Sequence, residues 1–116
     1  MSRERYVPTY PLDEVKRIAE SGRIILLSRP RSFVLNHECG EAELVVRDLL
    51  CSLEECDFKK SVELDIRPGI WADVYGDVPY VNPYGGEPHD WYVKFCVTEE
   101  AVSVTVLSAN YEGVTH

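Results

Sequence analysis

The fold of this chain is decided by residues 90–107, which read DWYVKFCVTEEAVSVTVL. Apolar side chains at odd positions, such as Trp91 and Phe95, fall on one side of an extended chain. Tyr92 and Lys94 fall on the other side. After a Glu-Glu pair the sequence alternates again, with valines separated by serine and threonine. Two alternating segments joined by a tight turn predict a β-hairpin.

Helical segments precede this hairpin. Pro11 suits the first position of a helix, acidic residues follow it, and Gly22 is typical of a helix end. Ser52 and Glu55 have the spacing of a capping box that opens a short turn. The predicted elements are a helix from Pro11 to Ser21, a strand over residues 23–27, a helical turn over residues 31–37 after an interruption at Pro30, a helix over residues 41–50, and strands over residues 59–64, 70–75, 90–98 and 101–107.

Helices followed by strands predict an α+β fold, with N-terminal helices packed on one face of an antiparallel β-sheet. The 116 residues contain no repeat or linker, so we expect one domain over residues 1–116. Its predicted parts are an N-terminal arm (1–9), a long Pro/Gly loop (76–89) and a C-terminal tail (109–116). Trp71 and Phe58 are expected in the core.

Charge and hydropathy argue against some classes of protein. The formal net charge is −8, which argues against a surface that grips phosphate throughout. Residues 1–32 carry +3 and residues 33–116 carry −11. The basic segment is either a local anion-binding face or an ordinary solvated surface. No stretch has the ~18 apolar residues of a membrane span, and the N-terminus does not read as a signal peptide, so we expect a cytoplasmic protein with no membrane partner.

The chain has four cysteines, which would permit three disulfide pairings. Free thiols are expected in the absence of a secretory signal. Zinc is the alternative, but the spacing of the cysteines and His37 matches no zinc ribbon or finger. We therefore expect neither a metal nor a cofactor. The cysteines are Cys39, Cys51, Cys56 and Cys96.

Five short motifs follow one another in an order that resembles the MqsR family of bacterial toxins, over residues 6–108. The motifs are PTYxLxxVK at 8–16, RxRS at 29–32, DFxKS at 57–61, IWxDVY at 70–75 and YxK at 92–94. The DFxKS and WxDVY pair is the most specific part. The resemblance implies a RelE/barnase-like fold, metal-independent endoribonuclease activity on mRNA, and a co-encoded antitoxin partner.

The resemblance also assigns individual residues. The family's catalytic lysine in DFxKS falls on Lys60, and its tyrosine in the YxK strand falls on Tyr92. The family's glutamine in WQDVY falls on Ala72, and its lysine in SFK falls on Asn110. Two of the four expected polar groups are therefore absent, which predicts an altered catalytic set.

Metal-free RNA cleavage needs a base for the ribose 2′-hydroxyl, a cation for the phosphorane and an acid for the leaving 5′-oxygen. Lys60 fits the cation. Tyr92 can orient a phosphate or, with a lowered pKa, act as a base. His89 is the candidate acid, because histidine titrates near neutral pH. The plainer alternatives are a solvated lysine, a surface aromatic and a chance His-Asp neighbour pair.

Cationic and aromatic side chains are the candidates for RNA binding. Arg29 and Arg31 can hold flanking phosphates bidentately. Lys59 is adjacent to Lys60 in the sequence, and Lys94 lies on the same side of its strand as Tyr92. Tyr80 and Tyr84 are expected to be exposed in the loop, where they suit base stacking, partner contact or plain loop packing. The candidates are Arg29, Arg31, Lys59, Lys94 and Tyr84.

Two functions from different classes remain open. The first is an MqsR-like endoribonuclease toxin of a type II toxin–antitoxin system, which cleaves mRNA by 2′-hydroxyl attack and binds a cognate antitoxin. The second is a catalytically inactive binding or regulatory module of the same fold, acting through its acidic surface and the tyrosine-containing loop. A neighbouring gene for a small DNA-binding antitoxin would favour the first.

Overall fold

The computed structural model describes residues 3–98, 100 and 102–113. The predicted turn residue Glu99 lies outside them. No helix within these ranges is long and apolar enough to cross a membrane. The elements are β1 (Glu4–Arg5), α1 (Leu12–Glu20), β2 (Ile24–Leu26), α2 (Ser28–His37), α3 (Ala42–Ser52), a 3₁₀ helix (Glu55–Asp57), β3 (Phe58–Glu63), β4 (Trp71–Tyr80), β5 (His89–Val97) and β6 (Val104–Tyr111).

The six strands form one sheet in the order β1-β3-β4-β5-β6-β2. Neighbouring strands are antiparallel except β2 and β6, which run parallel with Ile24 opposite Val104. The α+β class is confirmed, although the sheet is mixed and not purely antiparallel. A parallel pair needs a long crossover, and the helices and strands between β2 and β6 provide it.

The three helices bury most of the apolar side chains against one face of the sheet. Val15 of α1, Val34 of α2 and Leu49 of α3 are fully buried in this core. The sheet contributes Trp91 and Phe95, at alternate positions of β5, and both are fully buried. The alternation in β5 therefore decides which face of the sheet the helices cover.

The opposite face carries a smaller apolar cluster, to which no helix of the described residues contributes. Its buried members are Val62, Ala72 and Val74, with Leu64, Tyr92 and Leu107 packed beside them. We call this side the open face. It is defined by a row of residues that lie opposite one another on β3, β4, β5 and β6, namely Lys60, Val74, Lys94 and Ser108.

Two predicted element boundaries were wrong. α2 begins at Ser28 and includes Pro30, which was expected to interrupt the chain. Proline fits the first turn of a helix because an N–H there has no helical acceptor. The capping box does not use Ser52, which ends α3; it joins Glu54 and Asp57 around the 3₁₀ helix.

β4 continues through the first part of the predicted loop 76–89. The β4–β5 register shifts between Tyr75 and Val78, and Asp77 at this bulge has a positive φ of 52°. β3 begins at Phe58, which pairs with Tyr75, so beyond this point no strand of the described residues pairs with β4 on that side. Pro79 is tolerated there because proline suits an unpaired strand edge.

Three further expectations are corrected. Tyr80 is buried, not exposed in a loop, and its hydroxyl donates to Asp48 at 2.8 Å. Tyr111 ends β6, so residues 109–111 belong to the sheet and not to a tail. Trp71 is only half-buried, with the guanidinium of Arg5 3.9 Å from its ring centre, whereas Phe58 packs against the main core as expected.

A buried carboxylate fixes the segment before α1 to the sheet. Asp73 of β4 is fully buried and accepts the backbone N–H groups of Thr9 and Tyr10 at 3.0–3.1 Å. Thr9 also shares a hydrogen bond of 2.6 Å with Ser61 of β3. The N-terminal segment is thereby held beside the edge of β3.

Replacing Asp73 by alanine is expected to destabilise the fold by about 3 kcal/mol, because it leaves part-buried N–H groups without an acceptor. Urea unfolding measures this loss. Asp90→Ala, at an exposed position of β5, is the control and is expected to change stability little. A similar small change for Asp73→Ala would contradict the anchoring role.

Burial of Tyr75 makes stability depend on alkaline pH. Desolvation, together with the charge of Asp73, raises the pKa of Tyr75 from 10.0 to about 12. The folded state favours the neutral phenol, so this stabilisation is complete below about pH 10 and is lost as the pH rises towards 12. The free energy of unfolding should fall over this range, and fall less in Tyr75→Phe.

The control for this titration is Tyr84→Phe, because Tyr84 is 51% exposed. Urea unfolding at a series of pH values gives the comparison. A fall in Tyr75→Phe as large as in the control would show that the titration of Tyr75 does not contribute.

Candidate functional site

The open face brings together three of the predicted site residues. Lys60 of β3 and Lys94 of β5 both lie opposite Val74 of β4, one on each side of it. Tyr92 is two residues before Lys94 on β5 and packs against the same apolar cluster. Two cations and a phenol therefore share one side of the sheet, above a small apolar floor.

Lys60 is held by a carboxylate that the sequence alone did not indicate. Glu4 of β1 lies opposite Val62, and its Oε2 accepts a hydrogen bond of 2.6 Å from the Lys60 ammonium. This hydrogen bond is the main cause of the raised pKa of Lys60. Lys60 is consequently a permanent cation at neutral pH.

Tyr92 is half-buried and lies opposite Asn110 of β6. Burial raises the pKa of Tyr92; the positive charge of Lys60 opposes this effect, and the negative charge of Glu112 adds to it. The phenol is therefore neutral at physiological pH. It can donate a hydrogen bond or a proton. This environment does not lower the pKa of Tyr92, so it does not favour Tyr92 as a base.

Lys59 lies at a β-bulge, where the β3–β4 register shifts between Phe58 and Lys60. Its ammonium is 3.3 Å from Asp77 Oδ2. Gly76 leaves the space for this arrangement, because a Cβ at that position would come within 3.2 Å of the Lys59 side chain and 3.0 Å of the Glu112 carboxylate. Lys59 therefore joins the edge of the open face.

The two candidate arginines of α2 have different surroundings. Arg29 is exposed and lines a small cavity with Ser108 and Asn110. This cavity lies at the edge of β6, beyond the β6 residues that pair with β2. Arg31 is held against α3 by Glu43, at an N–O distance of 2.5 Å. Arg29 adjoins the open face, and Arg31 does not.

His89 and Tyr84 lie away from this group. His89 has the same parity as the buried Trp91, so it belongs to the helix-covered side of the sheet, where its ring stacks on Tyr111 at 3.8 Å. Tyr84 packs against Gly40, between α2 and α3. Neither residue can act together with Lys60 in this arrangement.

The described residues contain no group of three or more His, Cys, Asp or Glu side chains that could hold a metal ion.

A model of the family described as "Motility quorum-sensing regulator, toxin of MqsA" matches residues 7–109. This match covers most of the chain.

The chain belongs to the MqsR toxin family.

Membership makes it a toxin of a toxin–antitoxin system, with an antitoxin of the MqsA kind as partner. A search of curated proteins found no match.

The two positions at which this MqsR-family chain departs from the expected pattern lie on the open face, and neither carries the side chain that the family pattern expects there. Ala72 is fully buried in the apolar floor beside Val62. Asn110 is 6% exposed, and its Nδ2 donates to the backbone oxygen of Tyr111 at 3.0 Å. Any replacement for the missing groups must come from elsewhere in the chain.

Two carboxylates that the sequence alone did not indicate face this site, Glu4 and Glu112. Both lie outside the segment that matches the MqsR family. Glu4 and Lys60 are 56 residues apart in the sequence and meet because β1 pairs with β3. Glu112 follows the last strand. The only available signal was the alternation of β6, which puts Asn110 and residue 112 on the same side of the strand.

The ion pair of Lys60 and Glu4 is expected to contribute under ~1 kcal/mol to stability, because exposed pairs are solvated and mobile. Both side chains are 38% exposed. Urea unfolding of Lys60→Ala, Glu4→Ala and the double variant gives the coupling energy. A coupling above about 2 kcal/mol would instead make this pair a structural element.

Proposed function

We propose that this chain is an endoribonuclease toxin that binds mRNA on the open face and cleaves it without a metal ion. The observation that carries the proposal is the presence of Lys60, Lys94 and the neutral Tyr92 on one side of the sheet. This group meets the need for fixed cations and a proton donor around one phosphate. The substrate is cytoplasmic mRNA, so we also propose that the chain acts in the cytoplasm.

The chemistry is an internal transesterification. The ribose 2′-oxygen forms a bond to the adjacent phosphorus, the bond from phosphorus to O5′ breaks, and the products are a 2′,3′-cyclic phosphate and a 5′-hydroxyl. Lys60 and Lys94 stabilise the charge that develops on the phosphorane oxygens. Tyr92 donates a proton to the leaving 5′-oxygen.

Two cations at the margins of the open face suit the phosphates on either side of the cleaved bond. Arg29 stands at the β6 edge and presents a planar donor group that fits a phosphate bidentately. Lys59 stands at the β3 bulge, where a phosphate would replace Asp77 as its partner. These residues give a local positive track on a chain whose net charge is −8.

A second candidate is an antitoxin-binding module of the same fold that does not cleave RNA. It is favoured by Ala72 and Asn110, which stand where the family pattern expects a glutamine and a lysine. Tyr84, 51% exposed, would then be a contact residue for the partner. The same experiment separates the two candidates.

We expect induced expression of the native chain to arrest bacterial growth, and the purified chain to cut an RNA oligonucleotide in EDTA, leaving 5′-hydroxyl ends. Lys60→Ala should lower the cleavage rate by about 10²–10³-fold and relieve the arrest. Lys16→Ala, on the opposite side at α1, is the matched lysine control and should behave as the native chain.

Cleavage that is lost in EDTA would contradict the metal-free mechanism. A folded native chain that binds its antitoxin but neither cuts RNA nor arrests growth would favour the binding module. Equal cleavage by the native chain and Lys60→Ala would exclude Lys60 from the reaction.

A further inference from the structure

The proposed reaction still lacks a base for the 2′-hydroxyl, and His89 is on the wrong side of the sheet. The C-terminal end of the described chain supplies a carboxylate. Glu112 follows β6, and its backbone N–H donates to the Asp90 oxygen of β5 at 2.8 Å. Its side chain crosses β5 and reaches β4, where Oε2 accepts the backbone N–H of Asp77 at 2.7 Å.

The sequence of β4 makes room for this carboxylate. Gly76 has no side chain, and a Cβ there would stand 3.0 Å from Glu112 Oε2. The backbone at Gly76 is not in the left-handed region, so its conformation does not require glycine. The space that glycine leaves is instead occupied by Glu112 on one side and Lys59 on the other.

The same carboxylate faces the reactive groups of the open face. Its negative charge adds to the raised pKa of Tyr92, which burial mainly causes and the charge of Lys60 opposes. Within the described residues, Asp77 donates to Oε2 alone, so Oε1 has no hydrogen-bond donor. A carboxylate held by one oxygen presents the other as a proton acceptor.

We propose that Glu112 is the general base that removes the proton from the ribose 2′-hydroxyl, in place of the polar groups absent at Ala72 and Asn110. This inference rests on the proposed function, since it names a further residue for the same reaction. Glu112 lies outside the segment that matches the family, so the role belongs to this chain.

The step balances without a co-reactant. The 2′-hydroxyl proton passes to Glu112 as the 2′-oxygen bonds to phosphorus, and the proton of Tyr92 passes to the 5′-oxygen as its bond to phosphorus breaks. Glu112 ends protonated and Tyr92 ends as a phenolate, and water returns the proton from one to the other. The phosphodiester becomes a cyclic phosphate and a free hydroxyl.

Glu4 is the competing carboxylate, because it also lies on the open face. Its Oε2 already accepts a hydrogen bond of 2.6 Å from the ammonium of Lys60, so this carboxylate is occupied by a charged partner. Glu112 is bound by a neutral amide. The arrangement therefore favours Glu112 as the base and leaves Glu4 as the counter-ion of Lys60 in the free chain.

The test is single-turnover cleavage of an RNA oligonucleotide by the full chain between pH 4.5 and 9. We expect the native rate to rise with pH through the titration of one carboxylate. Glu112→Gln should lower the rate by about 10²-fold or more and abolish this acid limb. Glu87→Gln, at an exposed glutamate of the loop, is the matched control and should keep both rate and profile.

Gly76→Ala is a second variant that leaves Glu112 in the sequence. Its Cβ would stand 3.0 Å from Glu112 Oε2 and 3.2 Å from the Lys59 side chain, so these side chains must shift while the fold should persist, as circular dichroism will check. The displaced carboxylate should lower the rate. Gly76→Ala should have no added effect on the rate of Glu112→Gln, because both substitutions remove the base function of the Glu112 carboxylate.

Each result decides the inference. Retention of the acid limb by Glu112→Gln, at any rate, would overturn the assignment, and loss of the limb in Glu4→Gln alone would transfer the role to Glu4. Cleavage that survives Glu112→Gln leaves the proposed function standing. A native chain that cuts no RNA under any of these conditions would overturn the proposed function, and this inference with it.

Discussion

The charged groups of the candidate site depend on one constraint, the alternation of β5 between a face buried by helices and a face left open. Trp91 and Phe95 are fully buried, so β5 cannot shift by one residue without exposing both aromatic side chains to water. The same constraint turns Tyr92 and Lys94 to the open face. Through the pairing with β4 it also sets the position of Lys60. The core thus positions groups that it does not contact.

Much of this was accessible from the sequence, because periodicity over a few residues depends on local backbone geometry alone. The alternation of residues 90–107 predicted the hairpin and put Tyr92 and Lys94 on one side. It also contained evidence against His89, which shares the parity of Trp91 and therefore faces the helix-covered side. The α+β class followed from the order of helices and strands.

The rest required contacts between distant segments. Glu4 meets Lys60 only because β1 pairs with β3, a pairing of two residues that leaves no periodic signal. Gly76 and Pro79 suggested a loop, but in this chain they mark a bulge and an unpaired strand edge, which have the same residue preferences. The position of Glu112 depends on that bulge, so it could not be predicted before the bulge was known.

The two lysines of β3 are neutralised by the chain itself, Lys60 by Glu4 and Lys59 by Asp77. A bound anion must therefore displace internal counter-ions, and a single small anion gains little by doing so. A polyanion exchanges both carboxylates in one binding event, because its second phosphate is already delivered at high effective concentration. Under the proposed function, this exchange gives the open face a preference for nucleic acid chains over free phosphate or nucleotides, without any contact to a base.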